Sequence, residues 1–535
     1  MTTTAEHPTP SGPEHPEPTG PGHPEPADAE HPEPADATHL GATTAVRHLK
    51  VAIIGAGISG LGTAIRLLQT GTDDFLVFER ATDLGGTWRD NTYPGCACDV
   101  QAHLYSFSFA RNPEWKSTFA TQSEVHTYLK DTAHRFGVEP HLRYGHELLD
   151  AHWDTDHRHW RIHTTHGHYT AQILVTGTGY LSEPALPDLP GLSTFTGTLF
   201  HSARWRHDHD LTGRNVAVIG TGASAIQFVP AIQNQVARLD LYQRTPPWVA
   251  HKPDKPNTTR HTWMLRHLPG YQRFRRAFNK NGREIVAFFM SRPTRTTGMK
   301  NMAAGHLKKS VPDPALRQRL TPDYTVGCKR LLFSNTWYPA IQQPNVDIIS
   351  DTITNIGPTH ITTTDGTTRT IDTIILATGF TATDRPIARR IHGRDGTTLR
   401  DTWHTHGMKA HRGTTIHGFP NLFMLLGPNT TLGHSSQTVM IEAQIAYIID
   451  ALKTIDTHGI TSVEVRPEAQ DTYNQTLTNR LKNTVWNTGG CQSWYTDHHG
   501  NNPSIWPTYT YRFRRQTRHF DLLNYQRATT THTTP

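Results

Sequence analysis

Val51-Ala-Ile-Ile-Gly55-Ala-Gly57-Ile-Ser59-Gly60 and Val216-Ala-Val-Ile-Gly220-Thr221-Gly222-Ala223-Ser224-Ala225 are one pattern written twice in the same chain. Each reads as an apolar strand, a glycine-rich turn and a helix start. Such a turn lets backbone approach a pyrophosphate, which then rests on the helix N-terminus. The two copies differ in charge at the matching position downstream. Glu79 follows Gly55 at the same interval at which Arg244 follows Gly220. A carboxylate at the end of the second strand accepts hydrogen bonds from ribose hydroxyls, which suits the adenosine half of FAD. An arginine there suits the 2′-phosphate of NADPH. Either turn alone is weak evidence. Together, with strand, helix and correctly spaced charge, they predict two dinucleotide sites in one chain.

The expected fold class is therefore α/β, with two Rossmann-like dinucleotide-binding domains. Leu49 to about Leu181 reads as the first, closed by a strand at Gln172–Gly179. A proline-rich connector follows, and the second domain starts near Asn215, with a closing strand at Thr373–Gly379. Residues 255–320 read as a helical insertion. Gly418–Gly427 reads as a buried strand, leading into a helix with Ile441, Ile445, Ile448 and Leu452 on one face. The FAD domain is thus discontinuous and interrupted by the NADPH domain. The expected boundaries are 1–46 for a disordered repeat, 47–185 and 372–535 for the two parts of the FAD domain with the C-terminal region, and 186–371 for the NADPH domain. The repeat is His15-Pro-Glu-Pro, His23-Pro-Glu-Pro and His31-Pro-Glu-Pro, with a His7-Pro-Thr-Pro variant before it. Such proline-rich acidic sequence cannot bury a core.

At 535 residues the chain has room for two or three domains. No apolar run approaches the roughly 20 residues that span a bilayer, and the N-terminus lacks the pattern of a secretory signal. Both point to the cytoplasm, with no membrane partner. The formal charge is +6, but lysine and arginine read as spread along the chain, and no nucleic-acid motif is present. The 36 histidines form no metal constellation, so no metal is expected. Cys96, Cys98, Cys328 and Cys491 include no CxxC pair, and free thiols are expected in a reducing compartment.

Between the two nucleotide units lies Phe195-Thr-Gly197-Thr-Leu-Phe-His201-Ser-Ala-Arg-Trp205. This resembles the FxGxxxHxxxW fingerprint of type I Baeyer–Villiger monooxygenases, which are class B flavin-dependent monooxygenases. Other segments are similar to the same family. They are Gly85-Gly86-Thr87-Trp88, Tyr93-Pro-Gly-Cys-Ala-Cys-Asp99, Gly327-Cys-Lys329-Arg330, Ala377-Thr-Gly379-Phe, Gly427-Pro-Asn-Thr430 and Cys491-Gln-Ser-Trp494-Tyr. The resemblance runs from about residue 48 to about residue 510. Arg206 departs from the Pro or Asp that often follows the fingerprint tryptophan.

The resemblance implies FAD and NADPH as cofactors, and a ketone and O2 as the small-molecule partners. The implied reaction inserts oxygen next to the carbonyl through a C4a-peroxyflavin, giving an ester or lactone. Negative charge grows on the carbonyl oxygen during attack, and a fixed cation in a water-poor site stabilises it. By motif position that cation is Arg330, and Asp99 is the carboxylate that orients it near the flavin. Gly55, Gly57, Ser59, Gly60, Glu79, Gly86, Thr87, Trp88, Asp99 and Tyr105 are the implied FAD contacts. Gly220, Thr221, Gly222, Ala223, Ser224, Ala225, Arg244, Thr245 and Lys329 are the implied NADPH contacts. His201 and Trp205 are implied to couple domain movement to cofactor binding, and Trp494 to belong to a loop over the nicotinamide cofactor. The competing readings are an N- or S-oxygenating flavin monooxygenase and an NADPH-dependent disulfide reductase. Neither the ketone nor the oligomeric state is readable from the sequence.

Overall fold

The computed structural model describes residues 46–497 and 500–529. The repeat expected over 1–46 lies, but for Val46, outside them. The chain enters β1 (Arg47–Ile54), turns at Gly55 and continues into α1 (Ile58–Gln69). β2 (Phe75–Glu79), β3 (Leu142–Tyr144), β4 (Leu148–Asp154), β5 (His159–Thr164) and β6 (Gly167–Thr176) follow. β1 lies between β2 and β6, parallel to both, with Val51 opposite Phe75 and Ile173. β2 and the Val51–Ile54 end of β1 are buried throughout, as strands covered on both faces must be.

The second unit repeats the design. β7 (Thr198–His201) precedes β8 (Asn215–Ile219), which leads through Gly220 into α2 (Ala225–Ile232) and β9 (Arg238–Tyr242). Helices then fill 259–319, the longest being α3 (Tyr271–Met290). β10 (Val346–Ile349) and β11 (Thr373–Leu376) complete a five-stranded sheet ordered β10-β9-β8-β11-β7. All its neighbours are parallel.

The chain then returns. β12 (Ile391–His392) pairs with β4, and β13 (Leu422–Met424) pairs with β6. These strands bring the first sheet to eight. The helix α4 (Gln437–Thr457) buries Ile441, Ile445, Ile448 and Leu452 in one core with Leu61, Ala64 and Ile65 of α1.

Two expectations need correction. The closing strand expected at Thr373–Gly379 does belong to the second sheet, where β11 pairs with β7 and β8, so the boundary between 371 and 372 falls one strand too early. The strand expected over Gly418–Gly427 is three residues long, because Asn421 and Leu426 take positive φ values of 54° and end the extended run.

Candidate functional site

Both glycine turns open into one cavity of about 1380 Å³. Gly55 has φ +98° and Gly220 φ +108°, a region that an L side chain rarely enters. Gly60 serves a different need. A Cβ there would sit 1.8 Å from the Gly55 carbonyl oxygen, so α1 can rest on the turn only without one. Ala225, its counterpart, is fully buried and begins α2. Neither α1 nor α2 carries a side-chain cap. At α2 the Ile226 N–H already donates to the Gly222 carbonyl, so the N–H groups open to an anion are those of the turn that enters the helix.

The two carriers of downstream charge sit differently. Glu79 is 5% exposed and accepts hydrogen bonds from the Ala56 N–H at 2.8 Å and the Ala81 N–H at 3.0 Å. Arg89 pairs with it at 2.9 Å. Arg244 is exposed, and among the described residues neither it nor Lys329 makes an ion pair. Burial lowers the Lys329 ammonium from its ordinary value, and the Arg244 charge lowers it further. Asp323 offsets this only in part, and two cations near each other without a direct ion pair suit an anionic ligand such as a phosphate.

Between these positions Arg330 grips Asp99. The guanidinium donates from Nε to Oδ2 at 2.6 Å and from Nη2 to Oδ1 at 2.9 Å, while Nη1 donates to the Leu432 carbonyl at 3.2 Å. This is the bidentate geometry that a lysine could not supply. The side chains are 28% and 33% exposed, as walls of the cavity. Burial would raise the Asp99 carboxyl, but the Arg330 charge, the Arg330 hydrogen bonds and the Arg283 charge together hold it below the usual range. For Arg330 burial works downward, and Asp99 reverses it and lifts the guanidinium above its ordinary value. The pair is therefore a carboxylate and a guanidinium at any working pH.

All the implied catalytic residues and cofactor contacts line this cavity except Gly60 and Ala225, which pack helix against strand. Trp88 donates from its indole N–H to the Tyr105 hydroxyl at 3.1 Å, joining the two aromatic walls. Ala97 N–H donates to Gln227 Oε1 at 2.7 Å, and Gln227 Nε2 donates to the Ala223 carbonyl at 2.8 Å. The segment carrying Asp99 is thereby tied to the turn of the second unit. His201 and Trp205 do not line the cavity. Trp205 packs on Phe200 and Phe228, and the buried His201 imidazole is pushed down to about 4, mainly by burial.

Several residues of the site were not legible in advance. Arg283, on α3, donates from Nη2 to the Asp99 carbonyl at 3.3 Å and to Gln101 Oε1 at 3.0 Å. Ser435 Oγ and the Gln243 amide are buried in the cavity wall without a partner. With the open helix ends, these idle donors and acceptors fit a polar ligand such as a dinucleotide. Trp494 stacks on Tyr180 with ring centres 5.7 Å apart, and Tyr495 is buried beside it.

The expectation of four free thiols fails at two positions. Cys328 and Cys491 form a disulfide, which ties the Lys329–Arg330 segment to the segment carrying Trp494. Their 163-residue separation hides the pairing from any local reading. Cys96 and Cys98 are free. Burial pushes the Cys96 thiol up to about 11 and the Cys98 thiol higher still, so neither is a thiolate poised for disulfide exchange.

A family model described as pyridine nucleotide-disulphide oxidoreductase matches residues 52–287, which covers the first segment of the first unit and the second unit as far as α3. A "Baeyer-Villiger monooxygenase" of Streptomyces coelicolor is 49% identical over 90% of this chain and 92% of its own length. One of Pseudomonas aeruginosa is 48% identical over 91% and 93%. Among solved structures, cyclohexanone monooxygenase from Rhodococcus sp. Phi1 bound to NADP+ superposes with a TM-score of 0.81 at 26% identity, over 90% of this chain and all of that one. Steroid monooxygenase bound to NADP gives 0.79 at 27%, with the same coverage. Identity near one half, sustained across nine-tenths of both sequences, goes well past a shared fold, and the chain belongs to the Baeyer–Villiger monooxygenase family.

Proposed function

We propose that this chain is an NADPH- and O2-dependent flavin monooxygenase that converts a ketone into an ester or lactone, with Arg330 and Asp99 at its reacting centre. The observation that carries the reading is the bidentate Arg330–Asp99 pair in the wall of a cavity that both dinucleotide turns share. FAD, reduced by NADPH, supplies the activation of dioxygen. The chain supplies positions and charge.

The N–H groups at the start of α1 would hold the FAD pyrophosphate, and Glu79 would accept from its ribose hydroxyls. The turn entering α2 would hold the NADPH pyrophosphate, with Arg244, Lys329 and Thr245 placed to hold the 2′-phosphate. Arg330 keeps its proton throughout, so it acts as a fixed positive charge and not as an acid. It faces the carbonyl oxygen as negative charge develops there, which is where a preorganised donor has most effect. Asp99 holds the guanidinium plane, and Arg283 holds the Asp99 backbone from behind. Trp494 on Tyr180 excludes water from this end of the cavity.

The disulfide-reductase reading loses its support, since Cys96 and Cys98 are protonated thiols one residue apart and neither half of the Cys328–Cys491 disulfide lines the cavity. Among the described residues no helix is long and apolar enough to cross a membrane. We place the enzyme in the cytoplasm, where NADPH is supplied. The Cys328–Cys491 disulfide is the feature that argues the other way.

The test is turnover of a panel of linear, cyclic and aromatic ketones under isotopically labelled dioxygen. The expected result is one labelled atom in the ester, with NADPH consumed in equal amount. Recovery of all the label as hydrogen peroxide, for every ketone, would contradict the reading.

A further inference from the structure

The helix α3 is built inside out. On one face it carries Phe274, Phe278, Ile285, Phe288 and Phe289, and these are 60, 61, 60, 44 and 37% exposed. Spacings of four, seven and four residues align the stripe along one side, over about 22 Å of helix. The opposite face carries Arg276 and Arg283, and it points at the protein. Arg276 donates to the carbonyls of Leu104 at 3.0 Å and Ser106 at 2.6 Å, and Arg283 reaches Asp99 and Gln101. Hydrophobic burial normally turns such a helix the other way. Exposed Trp263, Leu268 and Met302 lie on the neighbouring segments of the insertion.

The surroundings of the stripe are strongly basic. Residues 259–310 hold twelve lysines and arginines against one acidic residue, Glu284. Glu284 is turned inward and accepts from the Thr510 N–H at 3.0 Å. The chain's +6 is therefore concentrated here, not spread, and the rest of the sequence is net negative. Arg260, Arg273, Arg292, Lys300, Lys308 and Lys309 are exposed.

We propose that this face of the insertion docks on an anionic lipid surface, with the aromatic stripe entering the headgroup boundary and the basic residues meeting the lipid charge. A basic amphipathic helix with aromatic residues on its free face is the chemistry that such a surface recognises. A second copy of the chain is the poorer occupant, because a symmetric contact would set two strongly positive faces against each other. The binding is peripheral. It revises the expectation of no membrane partner, and it brings the helix that holds the Asp99 segment to the surface from which an apolar ketone would enter.

The experiment is co-sedimentation of the FAD-loaded full chain with vesicles of phosphatidylcholine alone, or with about a third phosphatidylglycerol. The account expects pelleting with the anionic vesicles only, weakening as salt rises. The triple variant Phe274→Ser, Phe278→Ser, Ile285→Ser is expected to bind at least about tenfold more weakly, with NADPH oxidation unchanged. Should it fold poorly, Arg273→Glu with Lys300→Glu alters only exposed side chains and is expected to abolish the anionic preference. Three results would overturn the proposal. They are no pelleting with either vesicle, undiminished pelleting of both variants, or light scattering that shows a dimer which the triple variant converts to monomer.

Discussion

The two glycine turns share a backbone design but differ in how finished they are without a ligand. The first is closed. Gly60 lets α1 rest directly on the turn, and Glu79 is buried with two N–H groups and Arg89 already in place. The second is open. A Cβ at Gly222 would meet nothing within 4 Å, and Arg244 is exposed with no ion-pair partner among the described residues. A preorganised site binds tightly because little ordering remains to be done, and an open one exchanges its ligand more readily. The difference matches a cofactor that stays and a cosubstrate that leaves.

The largest expected effect breaks the closed side. Gly60→Ala places a methyl against backbone that cannot move aside, and purified protein is expected to contain no FAD by absorbance. Gly222→Ala adds a methyl to open space, and that variant is expected to fold and hold FAD while its KM for NADPH rises. Equal FAD loss in the two variants would erase the contrast.

A smaller effect sharpens the open side. Each charge-assisted hydrogen bond to a phosphate is worth about 1.5–3 kcal/mol. Arg244→Ala with Lys329→Ala is therefore expected to lower kcat/KM for NADPH by about a hundredfold or more, with NADH almost unaffected. A parallel loss with both nucleotides would move these side chains away from the 2′-phosphate.

The next tests concern the segments that join the two sides. Cys491→Ser removes the tie between Arg330 and Trp494, and is expected to destabilise by about 2–4 kcal/mol, read as a lower Tm. An unchanged Tm in oxidised protein would show that the tie contributes nothing. The native enzyme is also expected to leave Cys96 and Cys98 unreacted with a thiol reagent below about pH 9. Burst labelling of either would show a thiolate and revive the reductase reading.

The fingerprints were legible because each is local. A strand, a turn that needs positive φ and a charge at the end of the next strand are all set by near neighbours in sequence. Arg330 and Asp99 are 231 residues apart, so only resemblance brought them together before the structure did. Arg283 was lost among the many basic residues of the insertion, since nothing in its own sequence says which face of α3 turns inward. The disulfide failed for the same reason, since it is settled by pairing across the fold, where a local pattern carries no information.

The central claim is that the Arg330 charge serves oxygen transfer and not flavin reduction. The direct test measures, in wild type and Arg330→Ala, both the rate of anaerobic flavin reduction by NADPH and the ratio of ester formed to NADPH consumed. The account predicts near-normal reduction in the variant, with ester formation lower by about 100- to 1,000-fold and hydrogen peroxide in its place. An Arg330→Ala enzyme that still couples NADPH to ester would contradict it.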